Sequence, residues 1–188
     1  MDYYAALMRH AINPEDLTVL AVAGVLAAAV HEGGTGRLPI PGLNAEETHW
    51  LLARWFPQAE SSLGLYFGAP AAESQRGPRY DDIDLVMLLK AHANPGVGTT
   101  TEIHCISHAL ACACAGNRHL WQELRFPSRG ELSALLAYWF PTLAKKNVHG
   151  MKWKKFLYKE LCESEALNVC RTSSCGECAE YSSCFGPE

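Results

Sequence analysis

The sequence predicts an all-α protein, in which a helical body with a duplicated two-helix unit precedes an irregular, cysteine-rich C-terminal segment. Three observations indicate this class. Apolar residues recur at helical spacing over most of residues 1–163, capping residues precede several of these stretches, and no segment shows the alternation typical of a half-buried strand. Residues 164–188 differ because they hold four cysteines and few apolar side chains. We therefore expect a helical body over 1–163 and a metal-binding segment over 164–188.

The first long helix is expected to begin near Asn13. Asn13 would be its N-cap, with Pro14 at the first helical position and Asp16 in the first turn, where the helix dipole favours an acid. The stretch rich in Ala, Val and Leu continues this helix to about Val30, and a glycine cluster soon afterwards ends it.

Capping signals mark three further helices. The capping box, in which Glu follows an Asn, Ser or Thr by three residues, satisfies two backbone N–H groups at a helix start. It occurs at Asn44 with Glu47 and at Thr99 with Glu102, and Ser128 and Glu131 cap a third helix. Acids at 81–84 open another helix after a linker at 68–79 that contains Pro, Gly and Ser. A last helix over 151–163 places its apolar residues on one face and lysines on another.

Two of the predicted helix pairs resemble each other. Residues 19–57 align without a gap on residues 103–141, and the match is best between 51–57 and 135–141, where both copies end in Trp-Phe-Pro. We interpret this as a duplicated two-helix unit. The alternative is chance similarity between amphipathic helices.

The composition limits the classes of function. A formal net charge of -4 argues against a general nucleic-acid binder, which should be basic. The apolar run at 17–30 is too short to span a membrane. Acids precede it, which is not typical of a signal peptide. We therefore expect a cytoplasmic protein whose cysteines are reduced and act as ligands, reactive thiols or core residues.

Cys170, Cys175, Cys178 and Cys184 are separated by four, two and five residues. Structural zinc usually takes two short cysteine pairs with a longer loop between them, whereas here single cysteines flank one Cys-x-x-Cys. The spacing of the first three resembles that of plant-type iron-sulfur ligands. The spacing therefore favours an iron-sulfur cluster, with zinc and with disulfides or free thiols as alternatives.

The chain resembles the NifQ family. The resemblance lies in the four-cysteine segment that closes on Phe-Gly-Pro-Glu at 185–188, in residues 151–156 and 161–163 before it, and in residues 119–124 upstream. It implies a cytoplasmic nitrogen-fixation protein that supplies molybdenum for the iron-molybdenum cofactor of nitrogenase. It also implies that Cys170, Cys175, Cys178 and Cys184 hold an iron-sulfur cluster with molybdenum, formed when a 3Fe-4S precursor takes up the heterometal.

Partners follow from the same resemblance. They would be the nitrogenase cofactor assembly scaffold and the nitrogenase iron protein, and the molybdenum would originate as molybdate. The protein would be a carrier and donor rather than an enzyme, since the sequence offers no nucleophile, base and acid set and no nucleotide loop. A zinc-dependent interaction module and an electron-transfer iron-sulfur protein remain the alternative functions, and neither nucleic acid nor a membrane is expected as a partner.

A secondary set of side chains lies outside the tail. His104, His108 and Cys112 recur at four-residue spacing on one predicted helix, and at the aligned positions the first copy of the repeat has inert residues. Either these are hydrogen-bonded core residues or, with His119, they line a site where molybdenum enters. Cys162 falls on the lysine side of the last helix and is a candidate for assisting transfer.

Six of the seven lysines lie between residues 145 and 159, directly before the cysteine segment. Such a run is either a solvated helix face or a docking surface for an anion or an acidic partner.

Overall fold

The computed structural model describes residues 1–34, 39–65, 80–164, 175, 178 and 181–187. This part of the chain contains eleven helices and no strand, which confirms the all-α class. The helices are α1 (Tyr3–Met8), α2 (Leu17–Gly33), α3 (Ala45–Trp55), α4 (Ala59–Leu63), α5 (Tyr80–Ala91), α6 (Thr100–Cys114), α7 (Leu120–Glu123), α8 (Arg129–Trp139), α9 (Pro141–Ala144), α10 (Trp153–Ser164) and α11 (Tyr181–Phe185). The linker predicted at 68–79 lies outside the described residues.

The predicted capping boxes of α3 and α6 are confirmed, because in each helix the cap side chain and the Glu three residues later accept each other's backbone N–H. The predicted start of α2 is wrong. Its N-cap is Asp16, whose Oδ1 accepts the N–H of Thr18 at 2.7 Å. Asn13 instead closes a preceding turn, in which its carbonyl accepts the N–H of Asp16. The carboxylate therefore outcompetes the upstream amide for the helix N-terminus.

The two copies of the predicted repeat end in the same backbone conformation. Phe56, after α3, has φ -135° and ψ 60°, and Phe140, after α8, has φ -133° and ψ 58°. In each copy the carbonyl of the preceding tryptophan accepts a hydrogen bond from the loop before the long helix. The donor is the N–H of Ile12 at 3.1 Å in the first copy and that of Asn94 at 2.8 Å in the second. This shared detail supports a duplicated unit rather than chance similarity.

The two units pack against each other through helices of both units. The long helices α2 and α6 contact each other, and each also contacts the tryptophan-bearing helix of the other unit, α8 or α3. Two aligned positions make these crossed contacts. Thr18 Oγ1 accepts a hydrogen bond from Trp139 Nε1 at 2.9 Å, and Glu102 Oε1 accepts one from Arg54 Nε at 2.8 Å. The units are thus related by an approximate twofold arrangement.

Helix α10 closes the body. It packs against α5, and its indole Trp153 Nε1 donates to Ser133 Oγ of α8 at 3.0 Å. Its predicted apolar face is confirmed, since Trp153, Phe156, Leu157 and Leu161 are all buried. The division between a body and a tail at residues 163 and 164 stays a prediction.

Replacing Trp139 with Phe tests the crossed contact. The change leaves the buried Thr18 hydroxyl without its indole donor, so we expect it to lower the free energy of unfolding by about 1 kcal/mol more than Trp55→Phe. Trp55 is the aligned tryptophan, it is equally buried, and its indole donates to no residue in the described part of the chain. Urea unfolding measures both values. Equal losses of unfolding free energy in Trp139→Phe and Trp55→Phe would contradict the role of this hydrogen bond. A larger loss in Trp139→Phe that remains when Thr18 is also changed to Val would contradict it as well.

The second crossed contact predicts a pH dependence. Burial alone would raise the pKa of the Glu102 carboxyl, but hydrogen bonds from the Thr99 N–H and from Arg54 outweigh burial and hold this pKa below its ordinary value. A carboxyl with a lower pKa in the folded state adds stability above its unfolded pKa, and this stability disappears as the pH falls through the folded pKa.

We therefore expect Glu102→Gln to destabilise the protein at about pH 7 and much less below about pH 4, where glutamate is protonated in the unfolded chain. Glu15→Gln, at an exposed residue, is the control, and its effect on stability should not change in this way with pH. Chemical denaturation across this range measures the effect, and a pH-independent difference for Glu102→Gln would rule out the explanation.

Candidate functional site

The carbonyls of two described tail cysteines, Cys175 and Cys178, each accept a hydrogen bond from the residue three positions later. The N–H of Cys178 donates to the carbonyl of Cys175 at 3.2 Å, and the N–H of Tyr181 donates to that of Cys178 at 3.1 Å. Cys175 is exposed, while Cys178 and Cys184 are half-buried, and Cys184 lies on α11. Cys170, the first of the predicted ligands, lies outside the described residues.

Within the described ranges, no three His, Cys, Asp or Glu side chains lie close enough together to hold a metal ion. The backbone hydrogen bond between Cys175 and Cys178 keeps these two residues close together. The ligand set of four cysteines stays a prediction.

The end of the tail is attached to the start of α10. The N–H of Lys152 donates to the carbonyl of Cys184 at 2.8 Å, and Lys152 Nζ donates to the carbonyl of Ser182 at 3.2 Å. The rings of Tyr181 and Phe185 stack with centroids 4.6 Å apart, and Cys184 and Phe185 pack against the hydrophobic core. One lysine thus holds the segment that carries the fourth cysteine, at the positive end of the α10 dipole.

Most lysines near α10 make contacts within the molecule. Lys146 pairs with Glu160 at 2.7 Å, and Lys159 pairs with Glu163 one turn further along α10. Lys154 Nζ donates to the carbonyl of Gly116 at 2.8 Å, and burial lowers its pKa. The lysine run is therefore largely part of the structure of the body rather than an open basic surface.

Cys162 is half-buried on α10, next to the buried Leu161. Cys162 was predicted on the lysine side of this helix, and its thiol is less exposed than a fully solvated face would make it. Its candidate role in transfer stays a prediction.

His104 is a structural link between three helices. Lys90 Nζ of α5 lies 3.2 Å from His104 Nδ1 of α6, and since an ammonium only donates, Nδ1 accepts. The other ring nitrogen, Nε2, then carries the hydrogen. It lies 3.2 Å from Glu47 Oε1 of α3, but without hydrogen-bond geometry. Nδ1 of His104 is thus occupied by Lys90, whereas Nε2 is buried and makes no hydrogen bond within the described ranges.

His108 is held differently. Its Nδ1 lies 3.1 Å from the carbonyl oxygen of Pro41, which only accepts, so Nδ1 carries the hydrogen and Nε2 keeps a lone pair. Burial and then the neighbouring His104 lower the pKa of His108, so that the ring is neutral near pH 7. The ring lies against Gly42, which has φ +85°, and a Cβ there would be 2.5 Å from His108 Cε1.

His108 and Cys112 line a cavity of about 220 Å³ between α5 and α6, here called the α5–α6 cavity. Its other described lining residues are Pro41, Gly42, Ile83, Val86 and Ala111. Apart from the imidazole and the thiol, the side chains around this cavity are apolar.

The remaining candidates lie elsewhere. His119 does not line the cavity; it is the N-cap of α7, and its N–H donates to Gln122 Oε1 at 3.1 Å. Burial and then Glu47 and Glu102 raise the pKa of Cys105 to about 12, so that Cys105 is a protonated core thiol. Of the helical candidates, the structure therefore brings only His108 and Cys112 to one cavity. No local sequence pattern indicates Pro41 and Gly42, because they contact His108 from another unit of the fold.

No helix in the described ranges is both long enough and apolar enough to cross a membrane. No solved structure matches the chain.

Comparison with known proteins places the chain in a family. A sequence model of the NifQ family matches residues 21–186. Protein NifQ of Azotobacter vinelandii is 49% identical over 78% of this chain and 77% of its own length. The NifQ homolog of Sinorhizobium fredii is 35% identical over 91% of this chain and 73% of its own, and protein NifQ of Rhodobacter capsulatus is 34% identical over 89% of each. The chain therefore belongs to the NifQ family, whose role lies in nitrogen fixation and the biosynthesis of the iron-molybdenum cofactor.

Proposed function

We propose that this protein carries a molybdenum-iron-sulfur cluster as cargo and donates its molybdenum to synthesis of the iron-molybdenum cofactor. The observation that carries the proposal is the set of four cysteines, spaced by four, two and five residues, in a chain of this family. Thiolates bind iron and reduced molybdenum well, whereas they suit the hard molybdate oxyanion poorly. The protein would act as a carrier and donor in the cytoplasm, without turnover of an organic substrate.

The arrangement of the tail supports a role in carrying rather than in permanent binding. Cys175 is exposed, and Cys178 and Cys184 are half-buried, so a partner has access to groups bound there. The hydrophobic core is built by the helices of the body, and of the described tail residues only Cys184 and Phe185 pack against it. Removal of the cargo would then leave the body folded. The proposed recipients are the cofactor assembly scaffold and the nitrogenase iron protein.

Electrostatics near Cys184 fit an anionic cargo. Four thiolates carry four negative charges, and the N-terminal end of α10 together with the Lys152 ammonium offsets part of them. The backbone hydrogen bond from the N–H of Lys152 to the carbonyl of Cys184 keeps Cys184 next to the start of α10. We assign Lys152 as the residue that positions the fourth ligand.

Replacing both Cys175 and Cys178 with Ser should abolish cargo binding. In protein purified without oxygen, we expect loss of iron, sulfide, molybdenum and visible absorption, with an unchanged far-ultraviolet circular dichroism spectrum because these residues lie outside the core. Cys162→Ser is the matched thiol control and should retain the metals. Wild-type protein that contains zinc and lacks visible absorption would favour the interaction module, and iron without molybdenum after expression with molybdate would favour electron transfer. A collapse of the helical spectrum would contradict the independence of the body.

Lys152→Met should weaken retention of the cargo. It removes the ammonium and its hydrogen bond to Ser182 but keeps the backbone N–H that donates to Cys184. Because one such bond contributes about 1 kcal/mol, we expect a chelator to remove iron faster by a factor on the order of five. Lys152→Arg should restore most of the retention, and Lys145→Met, an exposed lysine before α10, should have no effect. Equal release rates for Lys152→Met and wild type would exclude the assigned role.

A further inference from the structure

Helix α11 is too short to be stable by itself. Because helix formation has a costly nucleus, five residues form a helix only where other contacts hold them. Two such contacts tie one end of α11 to the body. The carbonyl of Cys184 accepts the N–H of Lys152 at 2.8 Å, and the half-buried ring of Phe185 packs against the hydrophobic core. The end of α11 that carries Cys184 is therefore anchored.

Tyr181, at the other end of α11, links Cys178 to this anchored end. Its N–H donates to the carbonyl of Cys178 at 3.1 Å. Its ring stacks on the ring of Phe185, one helical turn later, with centroids 4.6 Å apart and an angle of 23° between the planes. The contacts therefore run from the core through Phe185 and Tyr181 to Cys178.

These contacts shorten the path between two of the predicted ligands. If the chain from Cys178 to Cys184 were fully extended, it would span about 20 Å. A hydrogen bond between residues three apart instead keeps the Cα atoms of Cys178 and Tyr181 within about 7 Å. From Tyr181 to Cys184 the helix then advances only about 4.5 Å. Both thiols can reach one cargo only while α11 stays helical.

The exposure of Tyr181 shows that burial is not what holds its side chain. Tyr181 is 48% exposed, so that its contact with Phe185 is the main one that its ring makes in the described part of the tail. Stacked aromatic rings attract each other beyond the area that they bury. Tyr138 of α8 is 51% exposed, but its ring meets that of Trp139 edge-on and lies in the body. Tyr138 is therefore a matched control for Tyr181.

We propose that Tyr181 is a positioning residue for the cargo, because its stack on Phe185 keeps α11 helical and so holds Cys178 in place relative to Cys184. This role rests on the proposed function, in which both cysteines bind the cargo. Residues that orient a metal ligand typically change metal affinity by a factor of about 10 to 100 when they are replaced. The lower end of this range is expected here, since the backbone N–H of Tyr181 survives any substitution of its side chain.

Cobalt(II) tests this role without depending on the natural cargo, because tetrahedral cobalt thiolates absorb visible light. The full-length chain, freed of metal without oxygen, is titrated with cobalt(II) chloride. Changing both Cys175 and Cys178 to Ser should remove the absorption. We expect Tyr181→Ala to weaken cobalt binding by a factor of about ten, while Tyr181→Phe keeps the wild-type affinity and Tyr138→Ala has no effect.

Three results of this titration would overturn the positioning role. The first is a wild-type chain that does not bind cobalt, and the second is an absorption that survives the loss of Cys175 and Cys178. The third is an equal cobalt affinity of Tyr181→Ala and the wild type.

A double-mutant cycle isolates the stack itself. Phe185→Leu keeps an apolar side chain against the core but removes the ring, so it should weaken cobalt binding about as much as Tyr181→Ala. The chain with both changes should lose about tenfold in affinity and no more, because the two substitutions remove the same interaction. Losses that multiply to about a hundredfold would show that the two residues act independently, and would overturn the role of the stack.

These outcomes are distinct from failure of the proposed function. Wild-type protein that is purified without oxygen and lacks iron and molybdenum would overturn the carrier function, whereas the cobalt titration would still decide the role of Tyr181. Equal cobalt affinities of Tyr181→Ala and the wild type would overturn the positioning role even in a protein that carries iron and molybdenum.

Discussion

The contact between α2 and α6 is the interaction on which the rest of the body depends. Each helix is the long element of one unit, and neither unit can bury its apolar residues alone. Once the two helices meet, each also reaches the tryptophan helix of the other unit through Thr18 or Glu102. Gly24 of α2 permits the close approach of the turn after α7, because a side chain there would collide with the Leu124 carbonyl. The crossed contacts make the units mutually dependent, so that loss of either contact loosens both.

The hydrophobic core is built by the helices of the body, and the tail contributes little to it. The apolar face of α10 is buried against the body, and the tail is joined to it through Lys152, Cys184 and Phe185. Segments with few buried apolar contacts order at a free energy well below that of global unfolding. The proposed division of the chain therefore predicts that the tail loses its order without unfolding of the body. A permanent structural metal would instead couple them, as in small domains that unfold without zinc.

Much of the fold could be predicted from local sequence, and the division of roles at the site could not. Capping residues and helical periodicity identified α3, α6, α8 and α10, since those signals act within a few residues. The short helices α1, α4, α7, α9 and α11 were missed, because four to six residues hold too little periodicity. His104 and His108 look alike in sequence. Their roles diverge through Lys90, Glu47 and Pro41, which lie far from them along the chain.

Duplication explains why α6 can carry an imidazole and a thiol beside a cavity where α2 has Gly24 and Ala28. In a fold with one copy of the unit, replacing a tightly packed Gly and Ala by His and Cys would weaken the contact that holds the structure together. Here α2 retains the close packing at Gly24, while α6 is held at other points by its capping box, by Arg54 and by the Lys90–His104–Glu47 contacts. These contacts hold α6 in place although His108 and Cys112 line a cavity on one of its faces.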